Sequence, residues 1–150
     1  MKLYLLPIII IILEVMGSCK PEIKHEPPLA VVVKYITAEM KGLITDARPY
    51  IDVKKVYSKH IPDKNVDYEK IWEEQMSFRR QVSSTKKINS CPSFYDFDIE
   101  EIISSSTEST VILRSKKQPV KMDVYDLELT DRGWQIVDID YSDDDDVKDN

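Results

Sequence analysis

Gln75 and Arg79 are the polar residues whose placement most invites chemistry. In the stretch YEKIWEEQMSFRRQV, Tyr68, Ile71, Trp72, Phe78 and Val82 fall on one helical face. At roughly 100° per residue Gln75 sits near the middle of that face and Arg79 about 40° away. A polar group on a core-facing stripe must find a partner. At the open end of a cavity, the pair would line a pocket for a small polar or anionic ligand. The plainer and commoner arrangement has Gln75 bonding a loop carbonyl, with Arg79 lying along apolar surface to reach water or a carboxylate.

Other reactive combinations are not assembled by spacing. His25 and His60 are far apart and make no metal motif. Cys91, followed by Pro92, has no neighbour that would turn its thiol into a nucleophile. Asp96 and Asp98 alternate with Tyr95, Phe97 and Ile99 and are expected to face solvent. The only glycines are Gly17, Gly42 and Gly133, so neither a phosphate-cradling loop nor a dinucleotide fingerprint is available. No Gly-x-Ser-x-Gly elbow occurs. No cofactor, no metal and no catalytic residue are therefore assigned. The 27 acidic against 21 basic residues, a formal charge of −6, argue against nucleic acid, which requires clustered Lys and Arg.

The elements that must position Gln75 and Arg79 divide into a helical first half and a stranded second half. Leu29, Val32, Val33, Ile36, Met40, Leu43 and Ile44 recur at helical spacing behind Pro27-Pro28. Gly42 is expected to end that helix, with a short helical piece to Tyr50. Asp52 can cap VKKVYSKH, and Asp67 the longer helix that carries Gln75 and Arg79. From Phe94 the period becomes alternating. Four strands follow, the second with Val111 and Leu113 on one side. In the third, Val120, Met122 and Val124 share one parity and Leu127 and Leu129 the other, which predicts a bulge near Tyr125 and Asp126. The last, WQIVDIDY, is apolar on both sides in part and reads as a central strand. Helices followed by antiparallel strands predict an α+β fold, N-terminal helices packed on one face of a curved four-stranded antiparallel sheet.

At the start of the chain, the apolar run LYLLPIIIIIL (3–13) is too short to span a membrane and has the size of a secretory-signal centre. With Gly17-Ser18-Cys19 behind it, it resembles a bacterial lipoprotein signal. That resemblance implies cleavage after residue 18 and lipidation of Cys19, leaving Cys91 unpaired. Residues 19–28 then read as a tether, 29–141 as one domain and 142–150 as a disordered acidic tail. Within the domain, MKGLITDARPYID and DRGWQIVDIDY resemble the entry and closing strand of small lipoproteins of unknown function with the cone fold of nuclear transport factor two. The resemblance implies a membrane partner through the lipid, at the outer membrane of a Gram-negative cell or otherwise at the cell membrane. The short tether, the acidic surface and the absence of a catalytic constellation favour a non-catalytic domain that binds a protein or a small molecule. Two alternatives stay open: a cone-fold isomerase or dehydratase, which needs a base and an oxyanion donor in an apolar cone, and an immunity-type protein that binds a partner through its acidic face.

Overall fold

The computed structural model describes residues 25–63, 65–85, 94–118 and 120–143. The leader 1–18, Cys19, Cys91 and residues 144–150 of the acidic stretch lie outside them. Helix α1 (Pro28–Met40) starts with Pro28 at its first position, where the missing N–H is no loss. Just before it, Glu26 pairs with Lys34 and His25 lies beside the turn at Gly133. The helix ends in a Schellman motif. The N–H of Gly42 donates to Glu39 O (2.9 Å) and that of Leu43 to Ala38 O (2.9 Å), with Gly42 at φ +64°. A short α2 (Ile44–Ala47) runs into a 3-10 turn (Arg48–Tyr50).

Asp52 caps α3 (Val53–His60) by accepting from Lys55 N at 3.1 Å. Asp67 does the same for α4 (Tyr68–Thr85), accepting from Lys70 N at 3.2 Å. Strands β1 (Phe97–Ile103), β2 (Glu108–Ser115), β3 (Lys121–Thr130) and β4 (Gly133–Asp143) form an antiparallel meander in the order β1-β2-β3-β4.

One core joins the two halves. Val31, Val32 and Tyr35 of α1 and Trp72 and Met76 of α4 meet Val111, Leu113, Tyr125, Leu127, Ile136 and Ile139 of the sheet. The fold is thus α+β with a four-stranded antiparallel sheet.

Several details depart from the sequence expectations. The buried row of α1 is Val31, Val32, Tyr35 and Ala38, while Val33, Ile36 and Met40 are half-exposed. On α4 the buried residues are Trp72 and Met76; Phe78 is 67% exposed and Gln75 is exposed. Close approach at Gly42 causes this rotation. A Cβ there would stand 2.3 Å from Met76 O and 2.4 Å from Arg80 N, so the 76–80 turn of α4 abuts the end of α1 backbone to backbone. The parity of β3 does not switch: Tyr125 and Leu127 face the core together, and Met122 and Val124 take the other face half-exposed. The expected bulge is present, the register slipping between Asp126 and Leu127, but the extra residue is Val137 of β4. Strand β4 is an edge strand. Its two-sided apolar pattern reflects a cover on its outer flank, where Ile51 bridges Ile136 and Asp52 N donates to Ile136 O at 2.9 Å. Trp134 is only partly buried against the core.

Candidate functional site

Two adjoining hollows open between the helices and the β3–β4 side of the sheet. One, of about 430 Å³, lies among Tyr35, Glu39, Tyr57, His60, Gln75, Arg79, Ile139 and Tyr141. The other, of about 360 Å³, lies among Ile36, Glu39, Arg79, Leu113, Asp123, Tyr125 and Tyr141. Glu39, Arg79 and Tyr141 border both, so the hollows form one cleft. A more open groove along α4 (Met40, Ile71, Phe78, Val82) also touches Gln75 and Arg79 but holds no buried charge.

Local structure explains each placement. Tyr35 and Glu39 are one helical turn apart on α1, on the row of Val31 and Val32, so both point toward the sheet. Gly42 then brings α4 against the end of α1. Arg79 is one residue before the contact at Arg80, and its Nη2 lies 3.3 Å from Glu39 Oε1. On the sheet, register sets two rows across the core-facing side: Leu113–Asp123–Tyr141 and Val111–Tyr125–Ile139. Asp123 therefore stands, half-buried, between the core residue Leu113 and Tyr141, which is 58% exposed.

The electrostatics follow from this burial. The Glu39 side chain is only 14% exposed. Burial pushes its carboxyl above the usual carboxylate range, a shift that Arg79 offsets only in part. Burial alone raises Asp123, which has no ion pair among the described residues. The phenols of Tyr35 and Tyr125, both 2% exposed, are pushed far up by the same cause. Tyr57 is raised by burial too, and its hydroxyl donates to Gln75 Oε1 at 2.6 Å. Below the cleft, the indole N–H of Trp72 is buried without an acceptor at hydrogen-bond geometry, although it interacts with the Tyr35 phenol.

The structure thus puts Gln75 and Arg79 on the same cleft. Gln75 is held by a tyrosine, and Arg79, 46% exposed along its side chain, reaches the carboxylate of Glu39. Asp98 stays at the surface, opposite Lys116 (3.6 Å), whereas Asp96 is half-buried, borders the cleft and lies opposite Lys117 (3.2 Å). His60 Nε2 lies 3.4 Å from Asp138 Oδ1, and Lys59 binds Oδ2 of the same carboxylate at 2.6 Å.

Sequence reasoning missed Tyr35, Glu39, Tyr57, Asp123, Tyr125 and Tyr141. Two signals were present: the spacing of Tyr35 and Glu39 on one row with Val31, and the shared parity of Asp123 and Tyr125 with Leu127 and Leu129.

Chemically, the cleft offers carboxylates, hydroxyls and one guanidinium against aromatic walls. Among the described residues no cluster of His, Cys, Asp and Glu could hold a metal ion, and no helix is long and apolar enough to cross a membrane. Comparison of the chain with protein-family models, with curated proteins and with solved structures finds no match.

Proposed function

We propose that the chain is a lipid-anchored bacterial envelope protein whose domain, a cone of the nuclear transport factor two type, binds a small ligand without transforming it. The cleft carries this reading: a concavity between helices and sheet, with polar side chains converging among aromatic ones, is where small molecules are held. The cone assignment is supported by helices preceding an antiparallel meander and packing with it in one core. The anchor is supported by the leader sequence ending in Gly17-Ser18-Cys19.

One experiment addresses both halves of the reading. Cells expressing wild type or Cys19→Ala are fed a palmitate analogue, and the full chain is then purified from the membrane fraction and analysed by native mass spectrometry. Label on wild type alone, with a small molecule retained by the protein, is the expected result. Equal labelling of both forms removes the anchor. Loss of any retained mass in wild type, with no stabilisation by a metabolite library, removes the ligand.

A second reading, the isomerase or dehydratase, draws on one observation. Asp123 is a carboxylate with a raised pKa on the same strand face as the buried phenol of Tyr125, and a base and a hydrogen-bond donor are what enolising chemistry uses. Turnover of a carbonyl substrate, abolished by Asp123→Asn, would establish it.

A further inference from the structure

We infer that the ligand of this cleft is a small organic cation, an amine or quaternary ammonium head, seated between Glu39 and Asp123 against the rings of Tyr35, Tyr125 and Tyr141. The inference rests on the small-ligand reading above and assigns the ligand's charge.

The charge count comes first. Four carboxyl-bearing side chains border the cleft, Glu39, Asp123, Asp96 and Asp140, together with His60; Asp96 pairs with Lys117, and the one guanidinium, Arg79, sits 3.3 Å from Glu39. Asp123 has no ion pair among the described residues, so the cleft carries excess negative charge in a setting that solvates it poorly. An anion would add to these negative groups and find Arg79 already engaged. A cation would complete the set.

The walls make the second, independent argument. Tyr35 and Tyr125 are almost wholly buried and line the cleft, one in each hollow. Tyr141 borders both hollows and lies directly across the β3–β4 pair from Asp123. Aromatic faces carry negative quadrupole density and attract alkylammonium heads, more strongly where water is excluded. The Tyr125 hydroxyl makes no hydrogen bond among the described residues, and the residue borders the cleft, where its hydroxyl is open to a ligand.

Third, Arg79 is half in solvent, 46% exposed, whereas its partner Glu39 is 14% exposed. The guanidinium can swing to water while the carboxylate cannot. Arg79 therefore acts as an internal stand-in that an incoming cation displaces. This reverses its expected part as an anchor for an anionic ligand, and the two roles predict opposite effects of removing it.

The test uses the full chain in detergent with tyrosine rings isotopically labelled, titrated by NMR with three probes of similar size. They are choline, its neutral carbon isostere 3,3-dimethylbutan-1-ol, and butyrate. Choline should shift cleft tyrosines and bind about tenfold or more tighter than the isostere, the scale of one aromatic-cation contact plus a carboxylate. Asp123→Asn should weaken choline by about tenfold, and Arg79→Met should tighten it. Should Asp123→Asn fail to fold, Glu39→Gln replaces it with the same expectation. If butyrate or the isostere binds in the cleft and choline does not, or if Arg79→Met abolishes binding, the cation assignment is overturned while the small-ligand reading stands. If no probe moves a cleft tyrosine, the cation assignment falls, and the small-ligand reading is decided by the retained mass and the metabolite library.

Discussion

Gly42→Ala offers a quantitative probe of how the cleft is assembled. Two penalties can be separated. Gly42 has φ +64°, a left-handed conformation that costs an L-residue about 1–2 kcal/mol. The second penalty is contact. The added Cβ would stand 2.3 Å from Met76 O, 2.4 Å from Arg80 N and 2.6 Å from Arg80 Cβ. The first two are backbone atoms, so no rotamer change relieves the overlap. Helix α4 must retreat by roughly 1 Å, and overpacking of that kind costs about 1–3 kcal/mol. The sum is about 2–5 kcal/mol, which for a domain of this size lowers Tm by roughly 8–20 °C.

Thermal unfolding followed by circular dichroism measures it, and Gly42→Asn separates the terms. Asparagine tolerates the left-handed region but carries the same Cβ, so it should recover no more than about 1 kcal/mol of the loss. Near-wild-type stability of Gly42→Asn would refute the close-approach argument and leave only backbone strain. The site reports the same event: a displaced α4 takes Arg79 away from Glu39.

Acidification is expected to favour the fold through Glu39 and Asp123. Both carboxyls are raised by burial, so the folded state holds their protons more tightly than the unfolded one. Their contribution is fully present below the unfolded value of about 4 and is lost as pH rises through the folded values. Urea midpoints of wild type should therefore fall as pH rises above about 4 relative to those of Glu39→Gln/Asp123→Asn; parallel curves would show that the carboxyls are well solvated. Trp72→Ala should cost on the order of 3–5 kcal/mol, and Trp134→Ala clearly less, because Trp134 is only partly buried; equal losses in chemical denaturation would contradict that ranking. Asp52→Ala removes the acceptor of Lys55 N and should cost about 0.5–2 kcal/mol, read from the same melts, with no effect meaning that solvent replaces the cap.

Local signals read well from the sequence. Gly42, Asp52 and Asp67 marked helix ends because capping depends on a few adjacent residues. Val111 and Leu113 marked the inner side of β2 because alternation there is unbroken. What failed was rotation and parity, which long-range contacts decide. The stripe of α4 centres on Met76 rather than Gln75 because Gly42, more than thirty residues earlier, presses on that turn. The third strand misled because Val124 and Met122 outweighed Asp123 in hydrophobicity, although Asp123 has the inward parity. The slip that reconciles the two strands sits on the neighbour, at Val137. The cleft was hidden for the same reason. A carboxylate inside is invisible to a reading that sends charge outward, and it was found only by its register between Leu113 and Tyr141.

The meander also has consequences for how copies of the chain behave together. Ile51 blocks the outer flank of β4, but β1 ends the sheet on the other side, with Ile99, Ile102 and Ile103 substantially exposed. An edge of this kind is a template for stacking with its own kind. Two β1 strands meeting antiparallel would set Asp98, Glu100 and Glu101 against the same residues of the other copy, with no Lys or Arg between Phe97 and Ile103 to soften the approach. Mutual repulsion therefore keeps crowded copies apart, and its range is set by dissolved salt, shrinking from about 10 Å at 0.1 M to about 3 Å at 1 M. Concentrated protein should remain monodisperse by light scattering in dilute buffer and begin to associate as sodium chloride is raised, with Ile103→Lys restoring dispersion.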